Sequence, residues 1–247
     1  MIAEYTRYPP RRPPVPADMS GLLLGPSVLH GRILDAVRPL CRIRGLVLAG
    51  GYALRAHGLP DRPDDDLTLV TVDPAPLAEI TTELAAMLAG AGLESEVGPG
   101  SVRMARLTVT DPAVGQAAAL DVRKEPLQCP PVPAGPHQVV GLDDLIGMTV
   151  GALCGRAAPY DFVVVTAMAD RVRGYGELER LGGVFEDGFS AEELAFALEA
   201  GLALDDAAFA RYGLTEPEIA EVKAFVLGWY EDLLLRIAEE TEVDPDL

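Results

Sequence analysis

The run Gly45-Leu46-Val47-Leu48-Ala49-Gly50-Gly51 constrains this chain more than any other stretch. Its apolar part is too short for a buried helix and suits a buried strand bounded by glycines. The two closing glycines allow a tight turn, and Tyr52 to His57 then reads as helical. A buried strand that turns straight into a helix needs other strands beside it. The next candidate is Asp66 to Val72.

Further elements follow from pattern. Ser27 as N-cap, with Val28, Ile33, Leu34 and Val37 among the apolar positions, predicts a helix to Leu40. A second helix fits Pro76 to Ala91. Strands fit Leu93 to Val97, Arg103 to Thr110 and Ala117 to Arg123. The last two flank Asp111-Pro112-Ala113-Val114-Gly115, a hairpin turn signal. Pro126 to Pro136 reads as a proline-rich crossing loop. Beyond it helices fit Asp143 to Arg156, Pro159 to Val172, Ser190 to Glu199, Asp205 to Tyr212 and Glu216 to Glu240. Ser190 with Glu193 and Thr215 with Glu218 form capping boxes. The expected fold is α/β of the α+β kind, a mixed-sheet lobe followed by a helical lobe. The expected divisions are a proline-rich arm at 1–20, an α/β lobe at 21–136 and a helical lobe at 137–247.

Charge narrows the partners. The net charge is −18, and from Gly174 onward 19 acidic residues face 4 basic ones, giving −15 and leaving −3 for the rest. An acidic lobe repels polyanions, which disfavours a long nucleic acid as partner. No apolar run reaches the roughly 18 residues of a membrane-spanning helix, and a cytoplasmic protein without membrane contact is expected. Cys41, Cys129 and Cys154 lack metal-ligand spacing and read as buried free thiols. His57 reads as a capping or surface residue, and His30 and His137 have no partner visible in the sequence. Asp143 and Asp144 suit the positive end of their helix. Phe225, Trp229 and Tyr230 read as helix packing.

Chemistry concentrates in three places. Gly50 and Gly51 end a strand and let backbone N–H groups approach a phosphate, although such a pair more often serves packing. In Asp64-Asp65-Asp66-Leu67-Thr68, alternation places 64, 66 and 68 on one face if the strand starts early. Two carboxylates there would hold Mg²⁺. Asp121 in a later strand could complete such a metal cluster or act as base, and Lys124 follows closely.

In this order, Leu48-Ala49-Gly50-Gly51-Tyr52-Ala53-Leu54, Arg62 to Thr68, Leu120-Asp121-Val122-Arg123-Lys124-Glu125 and Ile146 to Phe162 resemble the AbiEii/AbiGii toxin-like nucleotidyltransferases of the DNA polymerase β-like superfamily. The resemblance implies Mg²⁺ and a nucleotide as cofactors, with Asp66 and Asp121 as metal ligands. It places Asp66, Asp121 and Lys124 in the catalytic set, which Asp64 joins as a candidate replacement, and Gly50, Gly51, Thr68, Thr149, Arg156 and Asp161 around the nucleotide. It also shows departures. Thr68 stands where the family carries its second metal-binding Asp, and Thr149 where it carries a Lys. Tyr160 and Val164 replace the Arg and second Asp of an Arg-Asp-x-x-Asp pattern that keeps Asp161. Asp64, where the family has Ser, could form a displaced Asp-x-Asp pair with Asp66.

Three functions are therefore in competition. The favoured one is a repurposed pocket that binds or converts a small molecule without Mg²⁺-dependent transfer, and so without a cofactor. The others are an active nucleotidyltransferase acting on a small molecule or protein, and a non-catalytic module that binds a protein partner.

Overall fold

The computed structural model describes residues 28–60 and 66–243. The expected arm and Asp64 lie outside them. The described chain divides into two units, one up to Leu145 and one from Ile146.

Among the described residues, the first unit is built on a seven-stranded mixed sheet in the order β3-β4-β5-β2-β1-β7-β6. The glycine-bounded run supplies only two strand residues, Val47–Leu48 (β1), yet both are buried. β1 pairs antiparallel with β2 (Leu67–Thr71) and parallel with β7 (His137–Val139). β2 runs parallel to β5 (Gln116–Lys124), which forms the expected hairpin with β4 (Met104–Asp111). β3 (Glu94–Val97) closes the far edge.

Helix α1 (Val28–Arg44) runs one turn past the expected Leu40 and contains Pro39. Its last residue explains the extension. Arg44 donates to Glu83 at 2.9 and 2.6 Å and to Glu79 at 2.5 Å, both on α3 (Leu77–Gly90). A cation at a helix C-terminus is favourable in itself, and here it also ties α1 to α3. The Arg44 guanidinium holds the Glu83 carboxyl below the usual carboxylate range.

The proline-rich stretch is more ordered than a crossing loop. It contains β6 (Val132–Ala134), which pairs with β7 across a turn at Gly135, whose φ is +61°. Pro133 is tolerated because β6 lies at the sheet edge. Asp144 does more than favour a helix dipole. It is buried and accepts hydrogen bonds from the backbone N–H groups of Gln128 at 3.0 Å and Cys129 at 2.9 Å, fixing this stretch to the start of α4 (Leu142–Arg156). His57 caps the end of α2 (Gly50–Ala56), with Nε2 2.9 Å from the Val140 carbonyl. His30 is buried against the Tyr52 hydroxyl at 3.0 Å.

The second unit is helical. It holds the rest of α4, then α5 (Pro159–Met168), a 3₁₀ turn (Ala169–Arg171) and α6 (Tyr175–Gly182). α7 (Ala191–Leu202), α8 (Asp206–Ala210) and α9 (Glu216–Val243) follow. The segment expected as one helix to Val172 thus tightens into the 3₁₀ turn after Met168, and α6 was not foreseen. Trp229 is fully buried, stacks on Tyr175 and donates to Glu179 at 2.8 Å, as expected for packing. Each expected capping box forms one of its two bonds: Ser190 accepts from the Glu193 N–H at 3.1 Å, and the Thr215 N–H and hydroxyl both donate to Glu218 at 2.7 Å.

Two glycines test this packing in opposite directions. A Cβ on Gly201 would meet the buried Phe162 ring at 2.3 Å, whereas one on Gly31, exposed on α1, would meet nothing within 4 Å. Gly201→Ala is expected to destabilise by about 1–3 kcal/mol through overpacking. Gly31→Ala is expected to stabilise by about 0.5–1 kcal/mol through helix propensity. Urea unfolding of the two variants checks both signs.

Candidate functional site

The register of three strands builds the site in the first unit. Thr68 on β2 is paired with Asp121 on β5, and Asp121 with Arg106 on β4. Residues directly opposite share a sheet face, so the three side chains form one row. Arg123, two residues beyond Asp121, points to the same side. Gly50 approaches the row from α2. Its φ of +59° suits glycine, and a Cβ there would stand 3.5 Å from the Thr68 hydroxyl oxygen. The Ala49 N–H donates to the Thr68 carbonyl at 2.9 Å, which fixes the turn of Gly50 and Gly51 to this strand.

Arg106 organises the charges. Its Nε donates to Asp121 Oδ1 at 2.6 Å, and its Nη2 donates to Asp121 Oδ2 at 2.8 Å and Asp66 Oδ2 at 3.0 Å. The Arg123 guanidinium stands 3.5 Å from Asp121 Oδ2. Among the described residues, two carboxylates therefore face two guanidinium groups, and their charges balance. Asp121 is 2 % exposed, so an unpaired charge there would be costly and the bidentate fork removes that cost. The same fork raises the already high pKa of Arg106, first through its hydrogen bonds to Asp121. Arg106 was not among the residues singled out from sequence.

The other candidates are distributed differently. Lys124 follows Asp121 by three residues and faces the other side of β5, where its Nζ donates to the Pro74 carbonyl at 3.1 Å. Thr149, Arg156 and Asp161 belong to the second unit. There Arg156 grips the buried Asp161 through Nε at 2.7 Å and Nη2 at 2.6 Å. Ala157, with φ +45°, makes the bend between α4 and α5 that lets this pair close. Val164 is buried and Thr149 half-buried. Among the described residues, no group of three or more His, Cys, Asp or Glu side chains is placed to hold a metal ion.

No family model matches the chain, and no curated protein matches its sequence. Solved structures do. A candidate nucleotidyltransferase from Helicobacter pylori is similar at a TM-score of 0.50 and 14% identity, over 83% of this chain and 95% of that one. JHP933 of H. pylori matches at 0.49 and 12% identity, over 88% and 97% of the two chains. The nucleotidyltransferase toxin MenT4 of Mycobacterium tuberculosis matches at 0.45 and 17%, over 82% and 91%. The first of these likenesses shows the fold, which is nucleotidyltransferase-like.

The ion pair makes a stability prediction. Arg106→Met would leave the Asp121 carboxylate buried without its fork. Because the Arg106 side chain is 46% exposed, the cost should fall below that of breaking a fully buried pair, at about 1–3 kcal/mol. The double substitution Arg106→Met/Asp121→Asn should recover part of the loss. Chemical denaturation of the single and double variants measures both.

Proposed function

We propose that this chain uses a nucleotidyltransferase-like fold to bind or convert a small molecule and has given up Mg²⁺-dependent nucleotidyl transfer. The observation that carries this reading is the Arg106 guanidinium bonded to both Asp66 and Asp121.

Mg²⁺ prefers near-octahedral oxygen ligands, with carboxylates among them. The described residues do not fit it. Arg106 takes the oxygens of Asp66 and Asp121 that would face a cation, and its own charge neutralises them. Thr68, directly beside Asp121, adds a hydroxyl where the family resemblance calls for a third carboxylate. A cation could enter only by displacing the fork, against charge-assisted hydrogen bonds.

What the patch offers instead suits a ligand less charged than a metal-bound triphosphate. Arg106 has no hydrogen-bond partner for Nη1 among the described residues and is open enough to donate to a carbonyl or carboxylate oxygen. Beside it stand the half-exposed Asp66 carboxylate as acceptor and the half-buried Thr68 hydroxyl, which can donate or accept. Such a mixed, neutral set orients a polar small molecule by hydrogen bonds. The strongly acidic composition keeps a long nucleic acid unfavourable, and among the described residues no helix is long and apolar enough to cross a membrane.

Calorimetry with each nucleoside triphosphate and Mg²⁺ should show no saturable binding, and labelled nucleotide should transfer to no acceptor. Mg²⁺-dependent transfer abolished by EDTA would overturn the reading in favour of an active transferase. Conversely, Thr68→Asp/Arg106→Ala should gain Mn²⁺ binding, detected by electron paramagnetic resonance, because it adds a carboxylate and removes the competing cation.

A further inference from the structure

The first unit contains a second site with no part in the reading above. Leu69 follows Thr68 on β2 and therefore points to the opposite face of the sheet. There it lines a cavity of about 310 Å³ between α1, the central strands and the β6–β7 hairpin. The volume lies at the small end of ligand-binding cavities.

The floor is apolar. Leu34, Leu46, Leu48 and Leu69 line the cavity and are all nearly inaccessible to solvent. The polar lining comes from one helix face and the hairpin. Arg38 and Arg42, one helical turn apart, bring two guanidinium groups, and His137 faces them from β7. Asp35 is the ion-pair partner of Arg38. Arg42 has no ion-pair partner among the described residues, and the Arg38 Nε is buried without a hydrogen-bond partner. Burial and the neighbouring Arg38 hold His137 below its ordinary pKa, so near neutral pH the imidazole adds little charge. Among the described residues, two guanidinium groups against one carboxylate leave one uncompensated positive charge above an apolar floor.

We propose that this cavity binds a small monocarboxylate with an apolar body, its carboxylate held by Arg38 and Arg42 and its hydrocarbon part laid against Pro133 and Pro136 above the leucine floor. A single surplus charge matches a monoanion better than a phosphate dianion. Pro133 and Pro136, exposed in the hairpin wall, give the hydrocarbon the accessible surface that the nearly inaccessible leucines do not, and an inorganic anion would leave it bare.

Cys41, in the wall of the same cavity, provides a local reporter. Burial pushes its thiol up to about 11, so alkylation is slow at neutral pH and is followed at pH about 9. The probe is hexanoate, with hexanamide as the uncharged counterpart of the same shape. Calorimetry on the full chain should show saturable hexanoate binding, with hexanamide weaker by about tenfold or more, the usual worth of charge-assisted hydrogen bonds. Arg42→Gln, an exposed position whose replacement should not disturb folding, should weaken hexanoate by a similar factor and leave hexanamide unchanged. Hexanoate should slow alkylation of Cys41 without slowing that of Cys129 or Cys154, which do not line the cavity. Four results would each overturn the proposal: no saturable hexanoate binding, equal binding of hexanamide, unchanged affinity in Arg42→Gln, or an unprotected Cys41. None of them bears on Mg²⁺ or nucleotide chemistry at Arg106.

Discussion

A carboxylate buried in the middle of a sheet must be neutralised, and the way Asp121 is neutralised sets the character of this protein. Asp121 is held in the central β5, between β2 and β4, so its environment is decided by what those strands place opposite it. On one side is Thr68, which offers a hydroxyl and no charge. On the other is Arg106, which offers a planar fork matched to both carboxylate oxygens. With an aspartate at 68 and a small residue at 106, the same backbone would concentrate negative charge and attract a divalent cation. Among the described residues, the Asp121 charge is balanced by Arg106 and Arg123.

That balance is local, and it follows from register more than from composition. β4 and β5 are joined by a tight turn, and Asp111 is opposite Gln116. Stepping back along both strands from this pair brings Arg106 opposite Asp121 without a bulge. The hairpin and its turn were legible in the sequence, so the partner of Asp121 was within reach of simple counting along the two strands. Arg106 leaves no motif of its own: a single arginine in an alternating strand reads as solvent-facing until the register sets it opposite a buried carboxylate.

Other differences between sequence and structure have similar physical sources. The strand, glycine turn and helix at residues 45–57 were legible because periodicity and glycine placement are local signals. The extension of α1 to Arg44 was not, because it rests on Glu79 and Glu83, which are distant in sequence. The hairpin of β6 and β7 was hidden by its prolines, which argue against a central strand and say little about an edge strand. His30 gave no sign of its contact with Tyr52, since a single hydrogen bond between distant residues leaves no periodic trace. The opposite faces of β2 show the same limit. Alternation assigns Thr68 and Leu69 to different sides, but only the tertiary arrangement reveals a polar patch beside the first and a cavity beside the second.

The two ends of the sheet also have a bearing on how this unit can meet other chains. A strand at an edge offers unpaired N–H and C=O groups to any extended segment that comes near. Here one edge strand, β6, carries Pro133, which has no N–H to give, and the other, β3, is short and bears the exposed carboxylate Glu94 with Glu96 beyond it. Both margins resist the addition of another strand, and most of all of a second acidic copy of the same chain. Backbone zippering along the sheet is thereby discouraged at both edges of its described strands.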